Sequence, residues 1–405
     1  YKNNIFIPME KVLLLYSGGL DTSVMAKWIQ ENLKKEVVTL TLNIGNSNLD
    51  EIKEKAISLG VSDAIVEDVK NEFAEKYIKK EIYADGFYGD YPLSTAIARP
   101  LMAEKAVKYA EEYGCSTIAH GSTGKGNDQV RFEVTIKALN NNIDVIAPVR
   151  DWNMNRPDEI AYAKSHGINI TYGGKYSVDE NLWGRSIEGS NLEKLTNPVE
   201  DDVYEWVTPP KNAPDIETEL SLEFKNGIPS AINGVHYSLK EITERLNKIA
   251  GENGIGFINH IENRVTGIKS HEIYECPAAV LILKAHKIFE SLILNKNEAD
   301  IKNYMDFQWS NNVYNGLWYD PVMEHINAFE QSINKYIEGE IKLGLYKGNI
   351  SLKTIDSEYS LYDYDTVSYD NSIFKQDSAK GFIDIYKNNT VLGSAARKKT
   401  LKVIE

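Results

Sequence analysis

The sequence predicts an α/β protein: a parallel sheet with helices on both faces, followed by an α+β half and a C-terminal extension. Three observations predict it. In the first 170 residues strand-like runs at 12–16, 37–44, 63–69, 117–120 and 144–149 alternate with helical patterns at 21–33, 49–59, 71–84, 100–113 and 127–139. Helices of that length between strands imply parallel pairing with both faces covered. After about residue 170 the pattern changes to strict alternation and hairpin turns. At 405 residues the chain is also too long for one ordinary compact domain. The expected boundaries divide it into 1–170, 171–363 and 364–405.

Element by element, Val12–Tyr16 is an apolar strand that runs straight into SGGLDTS at 17–23. In the helix that follows, Val24, Met25, Trp28 and Ile29 share one face. Gly60 and Gly114 follow helix ends, where a left-handed residue is often needed. In the second half, TELSLEF (218–224) alternates strictly and Asn226-Gly227 marks a hairpin turn. SLKEITERL opens with a capping box, Ser238 with Glu241, and Leu239, Ile242, Leu246 and Ile249 continue it as an apolar stripe. Long helical patterns cover 277–294 and 320–338, and a second hairpin is expected at 340–352 around Lys347-Gly348-Asn349. The last forty residues, rich in Asp, Tyr and Lys and weakly periodic, read as an extension over a neighbouring surface.

Bulk composition removes several function classes. A net charge of −14 with no long basic run argues against a nucleic-acid surface, which needs clustered Lys and Arg to displace counterions. The longest apolar run, PAAVLIL at 277–283, stops at Lys284, far short of the ~20 residues that span a bilayer. The first ten residues lack the apolar stretch of a signal peptide, and Met9 reads as a natural start with 1–8 an extension. Two cysteines in unrelated contexts, Cys115 and Cys276, suit the reducing cytoplasm. The seven histidines show no metal-ligand spacing.

In a parallel α/β sheet, ligands gather at the carboxyl ends of the strands. Residues 17–23 and 120–128 lie at two such ends. SGGLDTS offers backbone N–H groups, the hydroxyls of Ser17, Thr22 and Ser23, and a helix start, a combination that favours an anion. Gly18 and Gly19 let the backbone approach closely. The alternative is an ordinary turn capped by Asp21 or Thr22. It is not a Walker loop: the nearest look-alike, AHGSTGKG at 119–126, has Ala119 for the first Gly and Gly126 for the Ser or Thr. HGSTGKGNDQVRFE (120–133) is a polar glycine loop opening a helix, with Asn127 and Arg131 four apart on one face. Arg131 offers a planar fork suited to a carboxylate, and Thr123, Asn127 and Asp128 are placed to hold a small polar molecule. The competing interpretation is a surface loop with a helix cap and a surface arginine.

The string SGG-x-D-[ST]-S resembles the pyrophosphatase loop of the adenine-nucleotide α hydrolases, which holds the pyrophosphate end of ATP while chemistry occurs at the α-phosphate. HG-x-TGKGNDQ-x-RFE then resembles the argininosuccinate synthase family, as do, in the same order, YPLSTAIARP (91–100), SVDENLWGRS (177–186), ENRVTGIKS (262–270) and IYECPA (273–278). The resemblance runs from about Lys11 to 383. It implies a cytoplasmic ligase of arginine biosynthesis that joins citrulline to aspartate through a citrullyl adenylate, releasing AMP and pyrophosphate. The implied domains are a nucleotide-binding domain (1–170), an α+β synthetase domain (171–363) and an oligomerisation extension (364–405), since the family forms homotetramers with C-terminal arms.

Carried over by position, the resemblance implies ATP binding by Leu15, Tyr16, Ser17, Gly18, Gly19, Leu20, Asp21, Thr22 and Ser23, with the backbone near Leu42 and Gly121. It implies citrulline binding by Tyr91, Thr95, Asn127, Arg131, Ser177, Ser186, Glu262 and Tyr274, and aspartate binding by Thr123, Asn127 and Asp128. On residue type alone Ser177 and Ser186 read as loop caps and Tyr274 as core. Magnesium is expected with the nucleotide, with Asp21 as ligand or orienting group; Lys125 is either a phosphate counter-charge or a solvated loop lysine. No general base stands out, Asp128 being a candidate by proximity only. The chain departs from the family pattern at Ala96, Asn46, His271, Glu272 (where the pattern has Gly) and Cys276. Two rival readings stand beside this one. A tRNA-modifying enzyme with the same first loop predicts a basic face or a sulfur-transfer cysteine pair. A catalytically silent nucleotide-binding regulator predicts eroded amino-acid motifs.

Overall fold

The structure, a computed structural model, describes residues 9–45, 47–152, 154–169, 174–368 and 375–401. Asn46, residues 1–8 and the expected boundary at 170–171 lie outside the described residues. The five predicted strands of the first half form one parallel sheet in the order Asp63–Asp68, Glu36–Asn43, Lys11–Leu15, Thr117–Ala119, Asp144–Ile146. From Val12 on the central strand is apolar because both its faces are covered. Leu13 and Leu15 pack with Ile97, Leu101 and Phe132 on one side, while Val12 and Leu14 pack with Val24, Met25 and Ala163 on the other. From Lys11–Leu15 the chain goes first to one neighbour and later to the opposite one. The strand order therefore reverses between Lys11–Leu15 and Thr117–Ala119, which opens a crevice at their carboxyl ends.

The helix expected over 100–113 begins earlier, at Ser94, and runs to Tyr113 with Pro100 buried inside it. Proline usually marks a first helical turn, because it lacks the N–H that an interior residue donates. No side chain caps this helix, so its true start carries no sequence signal. The correction matters for the site: Thr95, Ala96 and Arg99 fall on its first two turns.

In the second half, three stretches known only as motifs, 177–186, 262–270 and 273–278, contribute to strands. Ser177–Asn181, Gly184–Glu188, Phe257–Asn263 and Lys269–Glu275 form an antiparallel sheet in the order 257–263, 269–275, 184–188, 177–181. A second antiparallel sheet joins Val235–His236, Ile228–Ile232, Thr218–Lys225, Gly339–Tyr346 and Asn349–Asp356. Both predicted hairpins are in it: Asn226 and Gly227 have φ of 49° and 80°, and Lys347 and Gly348 of 45° and 86°, the positive values that tight hairpin turns require. The capping box of Ser238 and Glu241 starts the helix Leu239–Glu252 as expected.

One long helix, Lys296–Tyr314, escapes the sequence reading. Its buried side includes Lys302, Asp306 and Ser310 beside Trp309 and Val313, so the core-facing stripe is not apolar. Lys302 is fully buried and is bonded to Tyr83 O (2.8 Å) and to Asp306 (2.6 Å), Glu290 (2.7 Å) and Glu330 (3.2 Å).

Residues up to Tyr359 form one compact unit, and those from Ser360 a second that contains helices Tyr364–Val367, Ser378–Tyr386 and Asn388–Leu401. Among the described residues no helix is long and apolar enough to cross a membrane.

Candidate active site

The crevice is a cavity of about 1210 Å³ that both loops line. At its first wall, Tyr16 donates to Leu40 O (2.9 Å) and Thr41 Oγ1 donates to Tyr16 O (2.8 Å), which fixes the end of the strand. Gly18 then turns with φ of 78°, and a Cβ there would meet Ile52 at 3.2 Å. Lys55 Nζ pins the turn by donating to Gly18 O at 2.6 Å. The helix Leu20–Trp28 has no side-chain cap: the Thr22 hydroxyl is paired with Ser17 Oγ at 3.1 Å, and Asp21 faces Arg156 Nη1 at 2.6 Å. The capped-turn alternative thus fails, and the first N–H groups of the helix are left for an anion. Behind Asp21, burial and then the charge of Asp21 push Glu159 up to about 8.

The second loop is held from two directions. His120 Nδ1 accepts from Ser122 N at 3.2 Å, so the proton is on Nε2, 3.3 Å from Glu133; the ring stacks near Phe132. Across the cavity, the tip of the hairpin between Phe257–Asn263 and Lys269–Glu275 grips the loop. Val265 N donates to Asn127 Oδ1 (2.8 Å), while Arg264 Nη1 (3.3 Å) and Thr266 Oγ1 (3.2 Å) donate to Lys125 O. The Lys125 side chain is exposed, and its backbone carbonyl makes these contacts.

Between the loops lies a charge network. Arg99 Nη2 donates to Asp128 Oδ2 (2.8 Å) and also to Asp179, and Arg131 Nη1 donates to Asp128 Oδ1 (3.0 Å). Burial alone would raise the Asp128 carboxyl, but Arg99 and Arg131 outweigh it and hold it down at about 2. Arg131 Nε is spent on Tyr314 O (3.0 Å); its Nη2 is buried without a partner.

At the far end Tyr91 and Tyr274 stack with ring centroids 3.9 Å apart, and each donates to its own carboxylate. Tyr91 binds Glu262 at 2.9 Å and Tyr274 binds Glu272 at 2.5 Å. Burial, and after it the charge of Glu272, pushes the Glu262 carboxyl above its ordinary value.

Of the residues singled out in sequence, the first loop brings Leu15, Tyr16, Ser17 and Gly19–Thr22 to the cavity wall, with Leu42 and Gly121 beside them. Thr123, Asn127, Asp128 and Arg131 line its middle, and Tyr91, Thr95, Ser177, Ser186, Glu262 and Tyr274 its far end. Gly18 and Ser23 do not line it: Gly18 shapes the turn, and Ser23 is fully buried with its hydroxyl 3.1 Å from that of Tyr16. Sequence reasoning missed Arg99, Arg156 and Arg264 among the lining residues. Arg99 and Arg264 stood inside quoted motifs, whereas Arg156 belongs to a helix, Arg156–Ser165, with no local sign of contact with the first loop.

Two family models match the chain: the arginosuccinate synthase N-terminal HUP domain over residues 11–169 and the arginosuccinate synthase C-terminal domain over residues 176–391. The chain belongs to the argininosuccinate synthase family. It is 63% identical over 396 residues to the argininosuccinate synthase of Picrophilus torridus, covering 98% of this chain and 100% of that one. It is 55% identical to that of Thermoplasma acidophilum, covering 98% of each. With that of Pyrococcus furiosus it shares 45% identity over 94% of each chain. The matches to argininosuccinate synthases thus extend over both halves of the crevice.

Proposed function

We infer that the chain ligates L-citrulline and L-aspartate to argininosuccinate at the expense of ATP, releasing AMP and pyrophosphate. The observation that carries this is the continuity of one cavity from the uncapped helix start at Gly19–Leu20, past the Asp128 network, to the paired tyrosines and glutamates. An anion site, a central charge frame and an end suited to an amino-acid head group are the parts that the reaction needs.

The ureido oxygen of citrulline attacks the α-phosphate, forming a citrullyl adenylate and expelling pyrophosphate. The amine of aspartate then displaces AMP. The protein's contribution is alignment and charge neutralisation. Leu15–Ser17, Gly19–Thr22, Leu42 and Gly121 take the nucleotide, while Gly18 and Ser23 support the loop from behind. Tyr91, Thr95, Arg131, Ser177, Ser186, Glu262 and Tyr274 take citrulline. Thr123 and Asp128 take aspartate, and Asn127 serves both amino acids. Asp128 is better read as an organiser than as the base: both oxygens are tied to guanidinium groups, and at about 2 it has little affinity for a proton.

Asp21 is the carboxylate that would hold magnesium beside the phosphates, once Arg156 turns from it to the nucleotide; a hard oxygen ligand next to a phosphate site suits that ion. When bound, magnesium supplies charge neutralisation on the departing pyrophosphate. We place the nucleotide domain at 1–170, the synthetase domain at 171–363 and an oligomerisation extension at 364–405, in a cytoplasmic homotetramer. The test is pyrophosphate release that requires both citrulline and aspartate. With citrulline carrying heavy oxygen at the ureido position, the label should be recovered in AMP. Formation of ADP, or AMP free of label, would remove the mechanism.

A further inference from the structure

The far end of the cavity carries more negative charge than its local partners neutralise. Arg99 and Arg131 are matched by Asp128 and Asp179. Among the described residues at the far end, Arg264 is the ion-pair partner of Glu188 and Glu272, while Glu262 makes no ion pair: its hydrogen-bond partners Tyr91, Asn127 and Tyr314 are neutral, and Arg131 acts on it only at longer range. Ser270, Glu272 and Tyr274 alternate along one strand and so share a face, and Glu262 is paired opposite Ser270. Glu262 and Glu272 are thus diagonal neighbours, roughly 7–8 Å apart along the sheet face. Both tyrosine hydroxyls spend their protons on these carboxylates, so their remaining lone pairs make them acceptors. An independent feature faces the same space: Arg131, 5% exposed, with its Nη2 buried and unpartnered.

We propose that Glu272 is a specificity-determining residue of this end of the cavity, forming with Glu262 a two-carboxylate receptor for the α-ammonium group of the ureido amino acid. The proposal rests on the ligase reading above. In it, the carboxylate of the bound amino acid meets Arg131 Nη2 and its ammonium meets the paired glutamates and their tyrosines. The zwitterion is read at both poles. A cation arriving here relieves the repulsion between Glu262 and Glu272, whereas a ligand without an ammonium leaves Glu262 buried without an ion-pair partner and the repulsion in place.

The test compares the wild type with Glu272→Gln, which keeps the shape, can still accept from Arg264 through its amide oxygen and can donate to the Tyr274 oxygen through its NH2, but removes the charge, and with Glu272→Gly, which restores the residue of the family pattern. Steady-state pyrophosphate release gives the KM for citrulline, and competition gives the Ki of its des-amino analogue, 5-ureidopentanoate. Removing one charge contact should raise the citrulline KM roughly tenfold in both variants while the analogue's Ki stays level or falls. The KM values for ATP and aspartate should move less than about twofold. A parallel loss for citrulline and analogue, or no change in their ratio, would show that Glu272 only braces Arg264 and Tyr274 and would overturn the proposal. Failure of the ligase reading is separate and visible earlier: the wild type would then release no pyrophosphate with citrulline and aspartate, and both would fall.

Discussion

Arg131 reaches Asp128 at 3.0 Å through Nη1 and keeps Nη2 buried without a partner, although Asp128 is already bonded to Arg99. The arginine is therefore more than the aspartate's counter-ion: one donor pair remains for a ligand. Removing one partner of a buried charge pair typically costs ~2–5 kcal/mol. Arg131→Ala should lower kcat/KM for citrulline by more than about thirtyfold with little change in the KM for ATP. Arg131→Lys should recover only part of this, because the planar fork is lost. An equal loss for ATP would mean that the helix start itself is damaged.

Asp21 and Arg156 form a separate device at the phosphate end, 2.6 Å apart and half-exposed. If Arg156 transfers from Asp21 to the nucleotide, Arg156→Ala should raise the KM for ATP roughly tenfold, and added salt should narrow the difference from the wild type. Asp21→Ala should slow adenylate formation while circular dichroism stays unchanged. Normal ATP saturation in Arg156→Ala would refute the transfer.

Lys302 is fully buried among Glu290, Asp306 and Glu330. Its substitution by methionine would strip Glu330 of its cation and leave Glu290 and Asp306 to share the half-exposed Lys287. Breaking a buried ionic group in this way costs ~3–5 kcal/mol, so Lys302→Met should lower the urea midpoint strongly at neutral pH. A midpoint like that of the wild type would mean that the carboxylates protonate at no cost.

Glu81 is fully buried, accepts from Leu93 N at 2.8 Å, and is pushed by burial up to about 8 from 4.5. Above pH 4.5 the unfolded chain releases this proton while the folded chain keeps it, so stability from this group falls as pH rises from about 4.5 to 8. The slope is at most about 1.4 kcal/mol per pH unit. Glu81→Gln should flatten that part of the stability curve, as measured by urea unfolding at pH 6 and pH 8. Parallel curves for the two proteins would assign the pH dependence elsewhere.

The helix Ser378–Tyr386 carries exposed Phe382, Ile383, Ile385 and Tyr386. If this segment serves assembly, truncation after residue 363 should reduce the mass seen by light scattering. A truncated chain of unchanged oligomeric mass would rule that role out.

The sequence by itself determined what depends on neighbours along the chain. The apolar strand Lys11–Leu15, the glycine turn after it, the hairpins at Asn226-Gly227 and Lys347-Gly348 and the capping box at Ser238 were all legible, because backbone conformation and one-sided burial leave their marks within a few residues. The motif order also carried the family. What only the tertiary structure decided is which charges and rings meet. Tyr91 and Glu262 are 171 residues apart in the chain, and Arg156 meets Asp21 across 135. The helix Lys296–Tyr314 stayed hidden because its buried lysine and aspartate look like solvent residues until the segments carrying Tyr83, Glu290 and Glu330 close around them. A polar side chain's local sequence does not say whether it faces water or a partner; in this fold that partner comes from a distant segment, and the energy of the pair exists only once water has been excluded from both.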